Sequence, residues 1–165
     1  MLDNVEYIPS PNCNERPSNT MINMIVIHGI SIPAGQFGND NVIQLFQNRL
    51  KSMKDARVSA HLYIRREGEV IQFVPFDLRA WHAGISNFEG RDNCNDFSIG
   101  IELEGADNIV YTDIQYKKLQ EIIKVLKKLY PDITDHRIVG HSDIAPGRKT
   151  DPGELFDWGK IKREI

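Results

Sequence analysis

The stretch INMIVIH, residues 22–28, decides the fold class of this chain. A short run of β-branched and apolar side chains is typical of a buried β-strand. The strand ends on His28, and a loop rich in glycine and proline follows at residues 29–40. We therefore predict a buried strand whose last residue presents an imidazole at one edge of a sheet.

Three more segments predict the strands that accompany it. Residues 59–65 and 69–74 flank a Glu-Gly turn, which is typical of a β-hairpin. FSIGIELEG, residues 97–105, predicts a further strand, and RIVGH, residues 137–141, predicts a short one that ends on a second histidine. The sheet thus has at least two apolar strands that end in an imidazole.

Helices are predicted between and after these strands. Thr112 and Gln115 form a T-x-x-Q capping box, and Pro131 ends the helix that this box begins. Its apolar stripe comprises Tyr116, Leu119, Ile122, Ile123, Leu126 and Leu129. Residues 41–51 predict a short amphipathic helix, and residues 154–165 predict a terminal helix. Strands mixed with helices of this length indicate an α/β fold, with a mixed central sheet flanked by helices.

Composition limits the class of protein. The 165 residues fit one domain, residues 1–165, with residues 1–21 as an irregular arm packed on it. The net charge of −3, without long basic runs, disfavours a nucleic-acid partner, and the apolar runs are too short for a membrane span. The absence of a leader pattern and the two cysteines lead us to expect a cytoplasmic protein.

Two histidines and one aspartate predict a metal site. His28 and His141 each end an apolar strand, and Asp151 follows ten residues after His141. Asp151 lies in VGHSDIAPGRKTDPG, residues 139–153, a charged segment that we expect to be neither helix nor strand. Two imidazoles, one carboxylate and an open fourth position are a common arrangement for catalytic Zn²⁺.

Other histidines leave an alternative open. His136 lies near His141 and is flanked by Asp135 and Asp143, so these residues form a candidate local site. For His136 the simpler interpretation is an exposed residue in a turn. His61 and His82 are also possible ligands, but we expect His61 to be a satisfied interior residue and His82, in the sequence AWHAG, to line a cleft.

Two further residue types suit the chemistry of a metal-bound water. Glu102 and Glu104 lie on the same face of their strand, opposite the face of Ile99, Ile101 and Leu103, and either carboxylate can act as acid and base. Alternation does not choose between them. Lys149 lies two residues before Asp151, where an ammonium can stabilise an oxyanion.

Three long motifs carry a resemblance to a known family. They are RVSAHLYIRREGEVIQFVPFDLRAWHAG at residues 57–84, CNDFSIGIELEG at 94–105 and GHSDIAPGRKTDPG at 140–153. The chain resembles the type 2 N-acetylmuramoyl-L-alanine amidases nearly end to end, and among them those that act on 1,6-anhydro muropeptides in cell-wall recycling. The resemblance implies the fold shared by zinc amidases and peptidoglycan recognition proteins.

The resemblance also assigns roles to the candidate residues. It implies that His28, His141 and Asp151 bind Zn²⁺. It implies that Glu102, rather than its neighbour two residues on, is the catalytic acid and base. Lys149 matches the electrophilic lysine of the family.

Four further positions bear on substrate recognition, two that match the family and two that differ from it. Arg57 and Trp81 match positions that line the muropeptide groove of the family. Gly29 stands where relatives often carry asparagine, and Asn93 stands where a basic residue is common, so both positions bear on specificity.

We therefore expect zinc-dependent hydrolysis of the amide between (1,6-anhydro-)N-acetylmuramic acid and L-alanine. The partner is a small muropeptide, with no nucleic acid and no membrane. The alternatives are an amidase that acts on intact peptidoglycan and a non-catalytic peptidoglycan-recognition module. The complete set of predicted ligands, with Glu102 and Lys149, favours the enzyme over the module.

Overall fold

The computed structural model describes residue 2 and residues 5–162. The strands are β1 (Glu6–Tyr7), β2 (Cys13–Glu15), β3 (Met24–Ile30), β4 (Leu62–Ile64), β5 (Val70–Gln72), β6 (Leu78–Ala80), β7 (Asn87–Phe88), β8 (Arg91–Asp92), β9 (Ser98–Glu104) and β10 (Ile138–Gly140). A six-stranded mixed sheet forms the centre, in the order β1-β5-β4-β9-β3-β10, and two small antiparallel pairs, β2–β6 and β7–β8, accompany it. The α-helices are α1 (Asn41–Phe46), α2 (Asp113–Leu129), α3 (His141–Ile144) and α4 (Trp158–Lys162), and short 3₁₀ turns occupy Lys51–Met53, Cys94–Asp96 and Asp135–Arg137. The mixed sheet with flanking helices is the predicted fold class.

The inner strands run parallel, and their register positions the site. β9 lies between β4 and β3, and β10 extends the sheet beyond β3. His28 is paired with Glu102, and Ile27 is paired with Gly140, the residue before His141. Because parallel strands bring their carboxyl ends to the same edge, both histidines reach that edge. β3 continues for two residues past His28, so the predicted end of the strand at His28 was two residues too early.

Side chains alternate across β3 and β9 as predicted. Ile25, Ile27, Ile99, Ile101 and Leu103 belong to a core shared with α2. His28 and Glu102 point to the opposite face, where Met24 and Val26 belong to a separate apolar cluster, so the two polar side chains lie at the edge of a face that is otherwise also packed.

Helix α2 closes the apolar face. The capping box is present, since Thr112 Oγ1 accepts from the Gln115 backbone and the Gln115 side chain accepts from the Thr112 N–H. Most of the predicted stripe is buried, but Leu129 is 55% exposed. Leu129 is the last helical residue, and the buried residues of α2 end at Leu126.

Several predicted boundaries were too long. The hairpin is present, but its ladder covers only β4 and β5. The terminal helix begins at Trp158 rather than at residue 154, and residues 163–165 lie outside the described residues. Residues 139–153 are also more regular than predicted, because His141, predicted as the last residue of a strand, begins α3 directly after β10 ends at Gly140.

The N-terminal segment contributes one strand to the six-stranded sheet and one strand to the β2–β6 pair. β1 pairs in parallel with β5, and β2 pairs with β6. The Arg16 guanidinium donates to the carbonyl oxygens of Phe76, Asn95, Asp96 and Ser98 at 2.7–3.2 Å. Within residues 5–162, none of the helices has the length and apolar character needed to cross a membrane.

Candidate metal and catalytic site

Three side chains from distant parts of the chain meet at one point. His28 Nδ1 lies 3.0 Å from His141 Nδ1, and both nitrogens lie 3.1 Å from Asp151 Oδ2. Ligand atoms bound tetrahedrally to one zinc ion lie about 3.3 Å from each other, given zinc–nitrogen and zinc–oxygen bonds of about 2.0–2.1 Å. The triangle of ligand atoms is therefore close to the size that such an ion requires.

Local structure holds each ligand in place. His28 lies in β3, and His141 begins α3 directly after β10. The loop that carries Asp151 is tied back by the Ser142 N–H, which donates to the Asp151 carbonyl at 3.0 Å. The Tyr111 hydroxyl donates to the Pro152 carbonyl at 2.9 Å. The loop is thus fixed on both sides of its carboxylate.

The protonation states suit a cation. Burial lowers the pKa of His28 to about 4, so its imidazole is neutral at neutral pH. Burial raises the pKa of Asp151, but the imidazoles of His141 and His28 beside its carboxylate outweigh this and hold the pKa well below its usual range. His141 Nε2 donates to the Ala83 carbonyl at 3.0 Å, so its Nδ1 carries a lone pair towards the triangle. Neutral imidazole and ionised carboxylate are the forms that bind metal.

A cavity of about 240 Å³ opens above the three ligands. Glu102, Lys149, Trp81 and His82 also line it, with an apolar side formed by Leu45, Phe46, Met53 and Val58. The predicted acid and base, the predicted electrophile and one predicted substrate contact thus share one cavity with the predicted ligands.

Glu102 is a buried acid with a free oxygen. Its side chain is 8% exposed, and among the described residues its Oε2 has no hydrogen-bond partner. Burial, and next the charge of Asp151, raise its pKa well above the usual range, while the charge of Lys149 lowers it. A carboxyl group whose pKa is raised by its environment holds a proton more readily than a solvent-exposed one, as a general acid and base requires. A bound divalent cation adds to the effect of Lys149.

Glu104 has a different environment, although it lies on the same face of β9. Its carboxylate accepts from the Gly38 N–H at 2.7 Å and from the Arg66 N–H at 2.9 Å. These bonds hold two loops against the end of the strand, and Glu104 is absent from the lining of the cavity above the ligands.

The two predicted substrate contacts differ. Trp81 lines the cavity, and its indole N–H donates to Asn14 Oδ1 at 2.6 Å. Arg57 is exposed and does not line the cavity, because its guanidinium donates to the carbonyls of Lys54 at 2.8 Å and Ala56 at 3.1 Å. The structure therefore places Arg57 outside the cavity wall, beside Val58.

The alternative site around His136 is not formed. His136 Nε2 lies 2.9 Å from Glu89, Asp135 binds Lys127 at 2.6 Å, and Asp143 accepts from the Gly140 N–H at 2.7 Å. The three groups therefore have separate partners. In the described part of the chain, the cluster suited to a metal is that of His28, His141 and Asp151.

The two remaining histidines lie where the sequence predicts them. His61 is fully buried, accepts from the Gly100 N–H at 3.0 Å and lies 3.1 Å from the Leu78 carbonyl. His82 lines the cavity, but it also lies 2.9 Å from His28 Nε2, a contact that sequence reasoning missed. Gly100 was the available signal, since glycine inside a strand often marks a close approach by another group.

The place that a side chain at Gly29 would take is occupied by Tyr111, on the face of the sheet opposite the one that carries His28. A Cβ at Gly29 would overlap Tyr111 Oη and lie 3.3 Å from Tyr111 Cζ. Side chains at this position thus point towards Tyr111. Asn93 is exposed, has a left-handed φ of 59° and is absent from the cavity lining.

Comparison with known proteins gives a consistent family. The model of a family described as N-acetylmuramoyl-L-alanine amidase matches residues 18–154. The 1,6-anhydro-N-acetylmuramyl-L-alanine amidase AmpD of Escherichia coli (strain K12) is 48% identical over 163 residues, which cover 94% of this chain and 88% of that protein.

Solved structures agree in fold. A crystal structure of a Se-Met AmpD derivative matches with a TM-score of 0.96 at 44% identity, over 100% of this chain and 96% of the other. The amidase AmiD from E. coli, in complex with the substrate anhydro-N-acetylmuramic acid-L-Ala-D-gamma-Glu-L-Lys, matches with a TM-score of 0.69 at 29% identity, over 92% and 61%.

Proposed function

The chain belongs to the N-acetylmuramoyl-L-alanine amidase family, and from this premise we propose that it hydrolyses the amide between 1,6-anhydro-N-acetylmuramic acid and L-alanine in muropeptides released during cell-wall recycling. One observation carries the proposal. A triad of metal-binding atoms and the buried carboxyl group of Glu102 line the same cavity in a chain 48% identical to an amidase of that specificity.

The proposed metal is zinc, bound by His28, His141 and Asp151. Two imidazoles and one carboxylate leave the fourth position of a tetrahedral ion open, as catalytic zinc sites do. Elemental analysis of the purified chain should give close to one zinc per chain. Another metal at full occupancy would refute zinc, and no bound metal after reconstitution would refute the site.

The chain's own residues carry the proton transfers. When bound, the ion polarises the amide carbonyl and lowers the pKa of a water molecule. Glu102 would take a proton from the attacking water as the water oxygen adds to the carbonyl carbon. The ammonium of Lys149 would stabilise the negative charge on the carbonyl oxygen. Glu102 would then deliver its proton to the alanine nitrogen as the carbon–nitrogen bond breaks, which leaves a lactyl carboxylic acid and an amine; transfer of the acid proton to the amine gives the carboxylate and the ammonium.

Glu102→Gln tests the central role. The variant cannot accept the proton, so turnover should fall by about 10²–10⁴-fold, the usual contribution of a general acid and base. Zinc content should persist, because Glu102 is not one of the proposed ligands. Turnover is measured by mass spectrometry, as free stem peptide released from anhydro-muropeptide.

Glu104→Gln is the matched control. It makes the same change on the same face of β9, at a carboxylate that accepts from two loop N–H groups. It should lower stability while the turnover number stays near that of the parent chain. Equal losses of turnover in both variants would refute the assignment to Glu102.

Substrate comparison tests the specificity. The proposal predicts faster release of peptide from soluble anhydro-muropeptide than from intact peptidoglycan. Preference for the polymer would instead indicate an amidase of intact wall, and zinc-loaded protein that binds but leaves both substrates unchanged would indicate a recognition module.

The proposed location is the cytoplasm. Cys13 and Cys94 are both free thiols, which a reducing compartment maintains. Fractionation of the producing cell would test this, and recovery of the protein with the envelope would contradict it.

A further inference from the structure

We infer that His82, supported by Ser98, is a positioning residue that fixes the proposed metal ligand His28 in the tautomer with an unprotonated Nδ1. This inference rests on the metal site of the proposed function. It assigns a role to a buried hydrogen-bonded pair that takes no part in the proton transfers described above.

The direction of the hydrogen bonds follows from the end farthest from the ligands. Ser98 Oγ lies 2.6 Å from the Cys94 carbonyl, which can only accept, so the serine hydroxyl donates there. Ser98 Oγ also lies 3.1 Å from His82 Nε2. Because its only proton is already donated, the serine oxygen accepts from His82 Nε2–H.

The same reasoning then fixes His28. With its proton on Nε2, the neutral His82 ring presents a lone pair at Nδ1, 2.9 Å from His28 Nε2. His28 therefore donates from Nε2. Its Nδ1, which faces His141 and Asp151, is left without a proton.

The chain makes room for this arrangement. His82 is 8% exposed and Ser98 is fully buried. The His82 ring packs on Gly100 in β9, where a Cβ would lie 2.6 Å from His82 Nδ1. A side chain at this position would displace the ring, so the glycine and the histidine depend on each other.

The neighbouring residue serves the second imidazole. The Ala83 carbonyl accepts from His141 Nε2, so consecutive residues set both tautomers. Asn95 Oδ1 holds this pair by accepting from the His82 N–H at 3.1 Å and the Ala83 N–H at 2.8 Å. The segment after Trp81 thus acts as a shared support for both histidine ligands.

Loss of this support allows His28 to adopt the other tautomer. Without an acceptor at Nε2, the His28 proton can move to Nδ1 and bond to Asp151 Oδ2, 3.1 Å away. A proton on Nδ1 occupies the lone pair that binds the metal. Removal of such supporting partners typically costs about 10–100-fold in metal affinity.

Two substitutions of His82 distinguish this positioning role from a role in packing alone, and a third substitution tests the part played by Ser98. His82→Phe keeps an aromatic ring but removes the acceptor, and we expect zinc affinity, measured by chelator competition, to fall by about 10–100-fold. His82→Asn places an amide oxygen near the position of Nδ1 and should recover most of that loss. Ser98→Ala should produce an intermediate loss, since it frees the His82 proton to change position.

The tautomer can also be measured in the unaltered full-length chain. Long-range ¹H–¹⁵N NMR before and after zinc removal should show a protonated Nε2 and an unprotonated Nδ1 for His28. A proton on Nδ1 in the metal-free chain would overturn the inference even if His82→Phe fails to fold.

Equal zinc affinity in His82→Phe and the parent chain would also overturn it, as would equal losses in His82→Phe and His82→Asn. These outcomes are independent of the amidase assignment. Failure of the parent zinc protein to hydrolyse muropeptide would refute the function and leave the tautomer result intact.

Discussion

Gly29→Ala should destabilise the protein through a single side chain on the far face of the sheet. The added Cβ would overlap Tyr111 Oη and lie 3.3 Å from Tyr111 Cζ and 3.6 Å from Pro152 Cα. Tyr111 is 5% exposed and its hydroxyl donates to the Pro152 carbonyl, so the ring has little space in which to retreat. The substitution therefore forces this hydrogen bond apart.

The magnitude follows from three contributions. Overpacking in a core costs roughly 1–3 kcal/mol, and the broken hydrogen bond costs about 1 kcal/mol. Replacing a strand glycine with alanine returns roughly 0.5–1 kcal/mol of backbone entropy. The free energy of unfolding should therefore fall by roughly 1–3.5 kcal/mol. Zinc binding should weaken as well, because Pro152 directly follows the proposed ligand Asp151.

A double-mutant cycle with Tyr111→Phe isolates the cause. Tyr111→Phe alone removes the hydroxyl, and in that background the new Cβ loses its overlap with Oη and keeps the tight 3.3 Å approach to the ring carbon and an ordinary contact with Pro152 Cα. The cost of Gly29→Ala should then shrink by roughly 1–2 kcal/mol, within the range of coupling found for residues in contact. Urea unfolding of the four proteins, at equal zinc concentration, measures each value. An undiminished cost in the Tyr111→Phe background would refute the reasoning.

Three shorter predictions concern the ligand loop, helix α2 and acid stability. Asp151→Ala should lose zinc on dialysis and lose the rise in Tm that zinc gives the parent chain, and unchanged stoichiometry would remove Asp151 from the ligands. Thr112→Ala should cost about 1 kcal/mol in urea unfolding, since it removes the cap of α2. Burial, and next the charge of Arg16, lower the pKa of His61 from 6.5 to about 3, so the unfolded chain binds this proton more readily. The contribution of His61 to the free energy of unfolding is therefore fully present above pH 6.5 and is lost as the pH falls towards 3. The loss between pH 7 and pH 5 is roughly 2 kcal/mol. His61→Asn should flatten this slope in urea titrations, and an equally steep slope would contradict the prediction.

The sequence predicted best what is determined within a few residues. Thr112 and Gln115 are three positions apart, so the start of α2 is visible from their types alone. Leu129 belongs to the predicted apolar stripe but is exposed, because burial at a helix end depends on the tertiary contacts available there, which no local pattern records.

Predictions about the site divide in the same way, between features set by nearby residues and features set by tertiary contacts. The two strand-end histidines and Asp151 could be proposed from spacing, and family resemblance sharpened the proposal. Alternation could not separate Glu102 from Glu104, because the difference lies in two loops whose N–H groups reach only the second carboxylate. The contact between His28 and His82 joins residues 54 positions apart and depends on the packing of the intervening hairpin against β9.

The pairing of β3 with β9 also determines which kinds of genetic change the site survives. Side chains on a strand alternate, so a shift of one residue within β3 would place Ile27 or Gly29 where His28 lies and turn the imidazole towards the apolar core. Deleting a single codon within Ile25–Ile27 is therefore more damaging than exchanging any of those residues for another apolar one. Related genes should accordingly vary in length in the loops, while the spacing between Met24 and His28 stays constant.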